Sequence, residues 1–244
     1  MLLPGSHSWS ATQTISKAGL KVLGIPGGPI DPHEHGTRTT RYDAAVTTTA
    51  SAAVFTVSAA RTEIAYVHIV PVLAFAGIAV AAADANFHDI TWNMTTAADT
   101  GTFGISVTGA TVRPRFSNHY VYVTDNQGPF LRCASATGAM DGGVLQRSMV
   151  VLAGSTAWDA VVEITTGVDN FTIRDCDFVH SSGAIMTDVI DVTGNTSDNA
   201  VLVMRCMHSV AGDLTEATAT SDIQLCNNYI ATIQGGTGGT LSTG

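Results

Sequence analysis

The stretch "FTIRDCDFVH", residues 171 to 180, keeps a two-residue rhythm, skips once, and resumes it. Phe171 and Ile173 are spaced as on one face of a strand; Cys176 and Phe178 have the same spacing, offset by one extra residue. The skip recurs. In "VLVMRCMH", Val201, Val203, Cys206 and His208 stand at offsets 0, +2, +5 and +7, and Ile223, Leu225, Asn228 and Ile230 in "IQLCNNYI" repeat those offsets. Phe171 to Val201 is 30 positions and Val201 to Ile223 is 22, so the period is loose while the local pattern holds. A strand, a one-residue corner and a second strand, repeated once per turn, describe a coil of a parallel β-helix. In such a solenoid each coil bonds only to its neighbours and buries its apolar residues in a shared interior.

The same arithmetic works nearer the start of the chain. Val57 precedes Ile64, Val67 and Ile69 by 7, 10 and 12 positions, and Val80 precedes Phe87, Ile90 and Trp92 by the same steps. Residues 101 to 160 fit less well, although "FGISV", "HYVYV" and "SMVVLA" read as strands. A β-sandwich is the main rival. The expected organisation is one all-β solenoid domain over residues 1–234, followed by a flexible Gly/Thr-rich tail, "GGTGGTLSTG", within 235–244.

Composition narrows the function classes. Of 244 residues, 45% are hydrophobic and only 13% charged, about half the usual charged share, so the chain has ample apolar surface to bury. β-branched residues come in short runs and favour strands. The formal net charge is -9, and the 11 Lys and Arg are scattered, with "RPR" at 113 to 115 too short to form a nucleic-acid groove. No nucleic-acid partner is expected. The apolar stretch 67 to 83 is broken by His68, Pro71 and Gly77 and aligns with neighbouring coils, so no membrane span is expected. "MLLPGSHSW" lacks a basic start and places Pro4 where the apolar helix of a secretory signal would begin.

The run "LPGSHSW" followed by "TISKAGLKVLGIPGG" resembles the opening coils of pectate-lyase-like parallel β-helix proteins, bacteriophage tailspikes and other virion β-helices among them. In that family a "PG-x-[YH]" turn precedes "I-x-K-x-[GL]-x-[VL]-x-G". Residues 3 to 28 carry the match, and coils of the "FTIRDCDF" type match the interior pattern. The resemblance implies a right-handed coil and a place on a virion, among other virion proteins. Many members cap the first coil with an amphipathic helix, and there is no room for one here. Either the chain is a piece of a longer polypeptide or another chain covers that end; the missing caps suggest an assembly, with a homotrimer favoured by the resemblance.

Candidate chemistry is sparse. Glycan-cleaving β-helices group carboxylates on one outer face, and the nearest candidates are Asp175, Asp177, Asp188 and Asp191. Asp175, Arg205 and Asn227 share the +4 position of three coils, which suits a surface ion pair better than catalysis. The "NTD", "DD" and "GHG" motifs of the polygalacturonase branch are absent. In "DPHEHG" (31 to 36), His33, Glu34 and His35 could offer two metal ligands on one side of an extended segment, but no third ligand is assignable. Asn195 begins an Asn-Thr-Ser acceptor that has no meaning without secretion. Cys176 and Cys206 occupy equivalent places in successive coils and read as stacked thiols rather than a disulfide. No catalytic, cofactor or metal site is assigned. The expected role is a non-catalytic structural part of a bacteriophage-like virion, a capsid decoration or a spike-like surface protein. A depolymerase-type lyase or hydrolase acting on a surface glycan is the alternative. A non-catalytic glycan-binding module would need exposed aromatics, and Trp9, Trp92 and Trp158 share no coil position.

Overall fold

A computed structural model describes residues 1–25, 44–72, 74–94, 101–109, 111–124, 128–133, 140–153, 158, 160–165, 167–180, 185–192, 201–209, 211–216 and 223–230. The segments carrying His33, Glu34, His35 and Asn195, and the tail 235–244, lie outside the described residues. Among the described residues the chain is all-β with no helix, so none is long and apolar enough to cross a membrane. The strands pair in parallel in three sheets of 15, 8 and 3 strands.

Pairing follows chain order. In the eight-stranded sheet, Gln13–Ile15, Phe55–Val57, Ala76–Val80, Phe103–Val107, Leu131–Cys133, Val162–Ile164, Ile185–Asp191 and Ala211–Glu216 lie side by side in sequence order. The 15-stranded sheet holds two rows, because Glu63–Ile69 and Asn86–Met94 run through both. From there the first row continues through Arg115–Ser117, Val144–Gln146, Phe171–Arg174, Val201–Met204 and Ile223–Cys226. The second continues through Tyr120–Val123, Met149–Leu152, Asp177–His180, Met207–Ser209 and Tyr229–Ile230. The chain thus visits the eight-stranded sheet, the first row and the second row in turn, and each visit forms one rung.

The registers are those the spacing predicts. Phe171 pairs with Val201 and Val201 with Ile223. Val57 pairs with Val80, Ile64 with Phe87, Val67 with Ile90 and Ile69 with Trp92. The stretch that fits the pattern poorly is in register too: Phe87 pairs with Phe116 and Phe116 with Leu145.

The skipped residue is a left-handed corner. Asp175, Arg205 and Asn227 have φ of 54°, 50° and 52°. They continue a column begun by Tyr66, Asp89, Asn118 and Arg147, with φ from 49° to 59°, each one place beyond a paired residue of the first row. One left-handed residue turns the strand without a loop, so inward alternation stops and restarts. A second column, Arg61, Asp84, Arg113, Gly142 and Asn170, turns the chain into the first row. Both corners stay in the ladder: Arg147 N–H donates to the Arg174 carbonyl at 3.1 Å and Arg113 N–H to Asp141 at 2.6 Å.

The alternating residues fill one interior. Phe87, Phe116, Leu145, Ile173 and Val203 stack under the first row and Trp92, Val121, Val150 and Phe178 under the second, all buried. Gly77 and Gly104 sit in register in the eight-stranded sheet because rings fill their space: an added Cβ would lie 2.6 Å from Trp92 at Gly77 and 2.5 Å from Phe130 at Gly104. The position after the corner is Val67, Ile90, His119, Ser148, Cys176, Cys206 and Asn228 in successive rungs, so the interior turns polar along one line. These side chains bond the backbone there: Ser148 Oγ accepts from His119 N–H at 3.2 Å, and Asn228 Oδ1 from Cys206 N–H at 2.9 Å. Cys176 and Cys206 are buried free thiols in adjacent rungs, as the spacing predicts. The neighbouring Cys206 thiol, together with burial, holds the Cys176 thiol well above its ordinary range.

Candidate functional site

Residues of the first row that alternate with the interior ones form the other side of that row. Two columns run along it. One is Lys21, Glu63, Asn86, Arg115, Val144 and Thr172; the other is Ala65, His88, Ser117, Gln146 and Arg174. Basic residues scattered in the sequence gather here, since Arg113, Arg115, Arg147, Arg174 and Arg205 all lie on this row or at its corners.

At the earlier rungs the charges cancel in a connected chain. Lys21 Nζ is 2.6 Å from Glu63, whose other oxygen lies 3.2 Å from His88 Nε2. His88 Nδ1 lies 2.8 Å from Asp89, which also accepts from Asn118 Nδ2 at 3.3 Å. The Lys21 ammonium, helped by His88, holds the Glu63 carboxyl below its usual value. Ser117 is in register with His88 on the next rung and is nearly buried, which brings serine, histidine and two acids close together. The geometry is wrong for a nucleophile. Both nitrogens of His88 are taken by carboxylates, so neither is open to a hydroxyl proton.

Further along, an open groove of about 370 Å³ crosses the face, lined by Arg113, Arg115, Gly142, Gly143, Val144, Gln146, Asn170, Thr172 and Arg174. It exists because one rung lacks side chains. Gly142 takes the corner position, at φ 66°, that Arg113 and Asn170 hold on either side. Gly143 must be small for a second reason, since a Cβ there would lie 2.8 Å from Phe171 and 3.1 Å from Pro114. Arg113 is held by Asp84 through two bonds of 2.9 and 3.2 Å, which keeps the Asp84 carboxyl low. Arg174 donates twice to Gln146 Oε1, at 2.9 and 2.6 Å. Arg115 is exposed and makes no side-chain hydrogen bond or ion pair among the described residues.

The four aspartates suggested by sequence do not converge. Asp175 stands at the corner and Asp177 in the second row, whereas Asp188 and Asp191 belong to Ile185–Asp191 in the eight-stranded sheet. Asp175 instead forms a two-pronged pair with Arg205, at 2.6 and 2.9 Å, and Arg205 holds its carboxyl low. Asp177 is in register between Met149 and Met207, and desolvation raises its carboxyl. Trp92 and Trp158 are fully buried, and Trp9 packs edge-on against Phe55 with centroids 5.4 Å apart. None of the three tryptophans forms an exposed stacking platform. Spacing within one coil could not reveal the Glu63–His88–Asp89 cluster or the groove, because Glu63 and His88 are 25 positions apart, Arg115 and Arg174 are 59 apart, and each pair is brought together only by stacking of rungs.

No family model matches the chain, and no curated protein matches it. Among solved structures it is similar to "Geobacillus virus E2 - ORF18", with 12% identity and a TM-score of 0.35 over 91% of this chain. The chain spans about half, 53%, of that protein's length.

Proposed function

We propose that the chain is a right-handed parallel β-helix serving as a non-catalytic structural element at the surface of a bacteriophage-like virion, a capsid decoration or spike-like protein bound to other virion proteins. The observation that carries the non-catalytic reading is the state of the outward acids. Glu63, Asp84, Asp89, Asp175 and Glu163 are each engaged by a Lys, Arg, His or Asn of the same or an adjacent rung. Acids used that way lock neighbouring rungs together. A hydrolase would need two of them facing one bond, with environments that push their acidities apart. The virion setting is supported by the resemblance of residues 3 to 28 to virion β-helices.

Self-association is part of the proposal, with a homotrimer as the favoured form. Among the described residues, Gln13–Ile15 and Lys21–Leu23 at one end, and Ala211–Glu216, Ile223–Cys226 and Tyr229–Ile230 at the other, each have one edge without a strand partner. Val22, Ile223 and Leu225 are only partly covered there, and Leu3 and Leu20 are exposed. Such edges pair with whatever strand they meet unless something covers them.

Sedimentation of the full chain at micromolar concentration, paired with a cleavage assay on neutral and acidic polysaccharides, tests both parts. A defined oligomer that forms neither new reducing ends nor unsaturated products is expected. A monomer that cleaves glycan would replace this reading with the depolymerase one.

A further inference from the structure

The geometry points to the groove around Gly142 as a binding site for a hydroxylated oxyanion, a carboxylate or phosphate carried on a sugar-like compound. Three features carry this. First, among the described residues no carboxylate lines the groove while three guanidinium groups do, in a chain whose net charge is -9. Second, the cations are not equivalent. Asp84 occupies Arg113, but Arg115 has no side-chain partner among the described residues, and Arg174 is steered by a neutral amide rather than neutralised by an acid. A guanidinium presents a planar fork that matches the two oxygens of a carboxylate or phosphate. Third, the remaining lining groups suit hydroxyls: the Thr172 hydroxyl and the amides of Asn170 and Gln146. The Asn170 amide already leans on Asp141, donating to Oδ1 at 3.3 Å, which fixes its place on the rim.

Arg115 and Arg174 stand on opposite walls, two rungs apart, with the Gly142–Val144 rung between them as floor. Strands are about 4.8 Å apart, so the walls are separated by roughly 10 Å before the side chains lean inward. That span fits a ring bearing one anionic group better than a bare ion. The site does not depend on the virion setting. It could serve an enzyme or a structural protein, and binding without cleavage is compatible with the paired acids described above.

Calorimetric titration of the full chain at low salt, with glucuronate, glucose 6-phosphate, inorganic phosphate and glucose as separate probes, tests the assignment. Saturable binding of glucuronate or glucose 6-phosphate is expected, at least tenfold tighter than glucose. Binding of glucuronate alone identifies a carboxylate source; binding of glucose 6-phosphate alone identifies a phosphate source. Arg115→Gln should weaken binding at least tenfold. Gly142→Asn should do the same by filling the floor without changing charge, since asparagine accepts the left-handed corner and the nearest group to its Cβ is Arg113 Cγ at 3.4 Å. An unchanged melting temperature in each variant shows that the fold is intact. No saturable binding of either sugar acid at millimolar concentration, or binding indifferent to both substitutions, overturns the site. Inorganic phosphate bound as tightly as the sugar acids also overturns it, as simple charge attraction.

Discussion

His68 and His119 are buried rings that cannot easily take a proton. His119 lies among Trp92 and Phe130, with centroids 6.0 and 5.4 Å away, and Trp92 Nε1 donates to its Nδ1 at 3.2 Å. Burial pushes His119 down to about 3 and His68 to about 4, from an ordinary 6.5. The unfolded chain therefore binds protons below pH 6.5 that the folded chain refuses. This stabilisation is complete above pH 6.5 and is lost as the pH falls toward 4 for His68 and 3 for His119. At pH 5 the gap is about 1.5 units, and at about 1.36 kcal/mol per unit each ring costs roughly 2 kcal/mol. Together they cost about 4 kcal/mol, a large part of the 5–15 kcal/mol typical of a domain. Glu63, Asp84 and Asp175 are held low by their partners and lose that help only at more acid pH, so these three acids add little between pH 7.5 and 5. Urea unfolding at pH 7.5, 6 and 5, followed by fluorescence of the buried Trp92 and Trp158, measures the loss. His119→Gln preserves an acceptor for Trp92 and should remove about half of the pH dependence. A wild type that loses less than about 1 kcal/mol over this range, or a variant with undiminished slope, would refute the reasoning.

Three further outcomes follow from the register and the corners. Phe171→Asp should place an unpaired charge in the interior and cost several kcal/mol, whereas Thr172→Asp, facing outward, should cost less than half as much; equal losses in chemical denaturation would remove the basis of the alternation. Ser at Cys176 or Cys206 should destabilise mildly, and reductant should leave the melting temperature unchanged, because the two are thiols. Arg147→Val should cost about 1–2 kcal/mol in the left-handed corner and Arg147→Asn almost nothing, so equal melting temperatures would count against the strain.

The fold was legible wherever the interior line after the corner stays apolar or thiol-bearing, as at Val67, Ile90, Cys176 and Cys206. It was hard to see between 101 and 160 because His119 and Ser148 hold that place, and a histidine inside a core does not announce itself. The skip marks where the corners fall, but the residue types there gave little warning of a left-handed turn. Glycine is the residue that signals a left-handed turn, yet these turns are made by Tyr66, Asp89, Arg147 and Arg205. The ion pair of Asp175 with Arg205 was readable because both residues sit at one offset in adjacent repeats. The groove was not. "RPR" looks like an isolated basic triplet until Arg174 is brought opposite it, and Gly142 looks like an ordinary loop residue until its neighbours on the column are known. Pocket chemistry here is written across the repeat.

The middle rungs share nearly one length: Phe87 to Phe116 and Phe116 to Leu145 are 29 residues each, and Leu145 to Ile173 is 28. Each rung touches only the one before and the one after, so the rung is also a unit of inheritance. An in-frame duplication of residues 116 to 144 would offer the next rung the same register it already accepts, lengthening the molecule by about 4.8 Å. A one-residue change inside a strand would turn the rest of that strand to the wrong face, whereas the stretches between strands absorb such a change, as the 28-residue step from Leu145 to Ile173 does. A gene of this kind can therefore grow or shrink in whole steps, and its reach is set by how many it keeps.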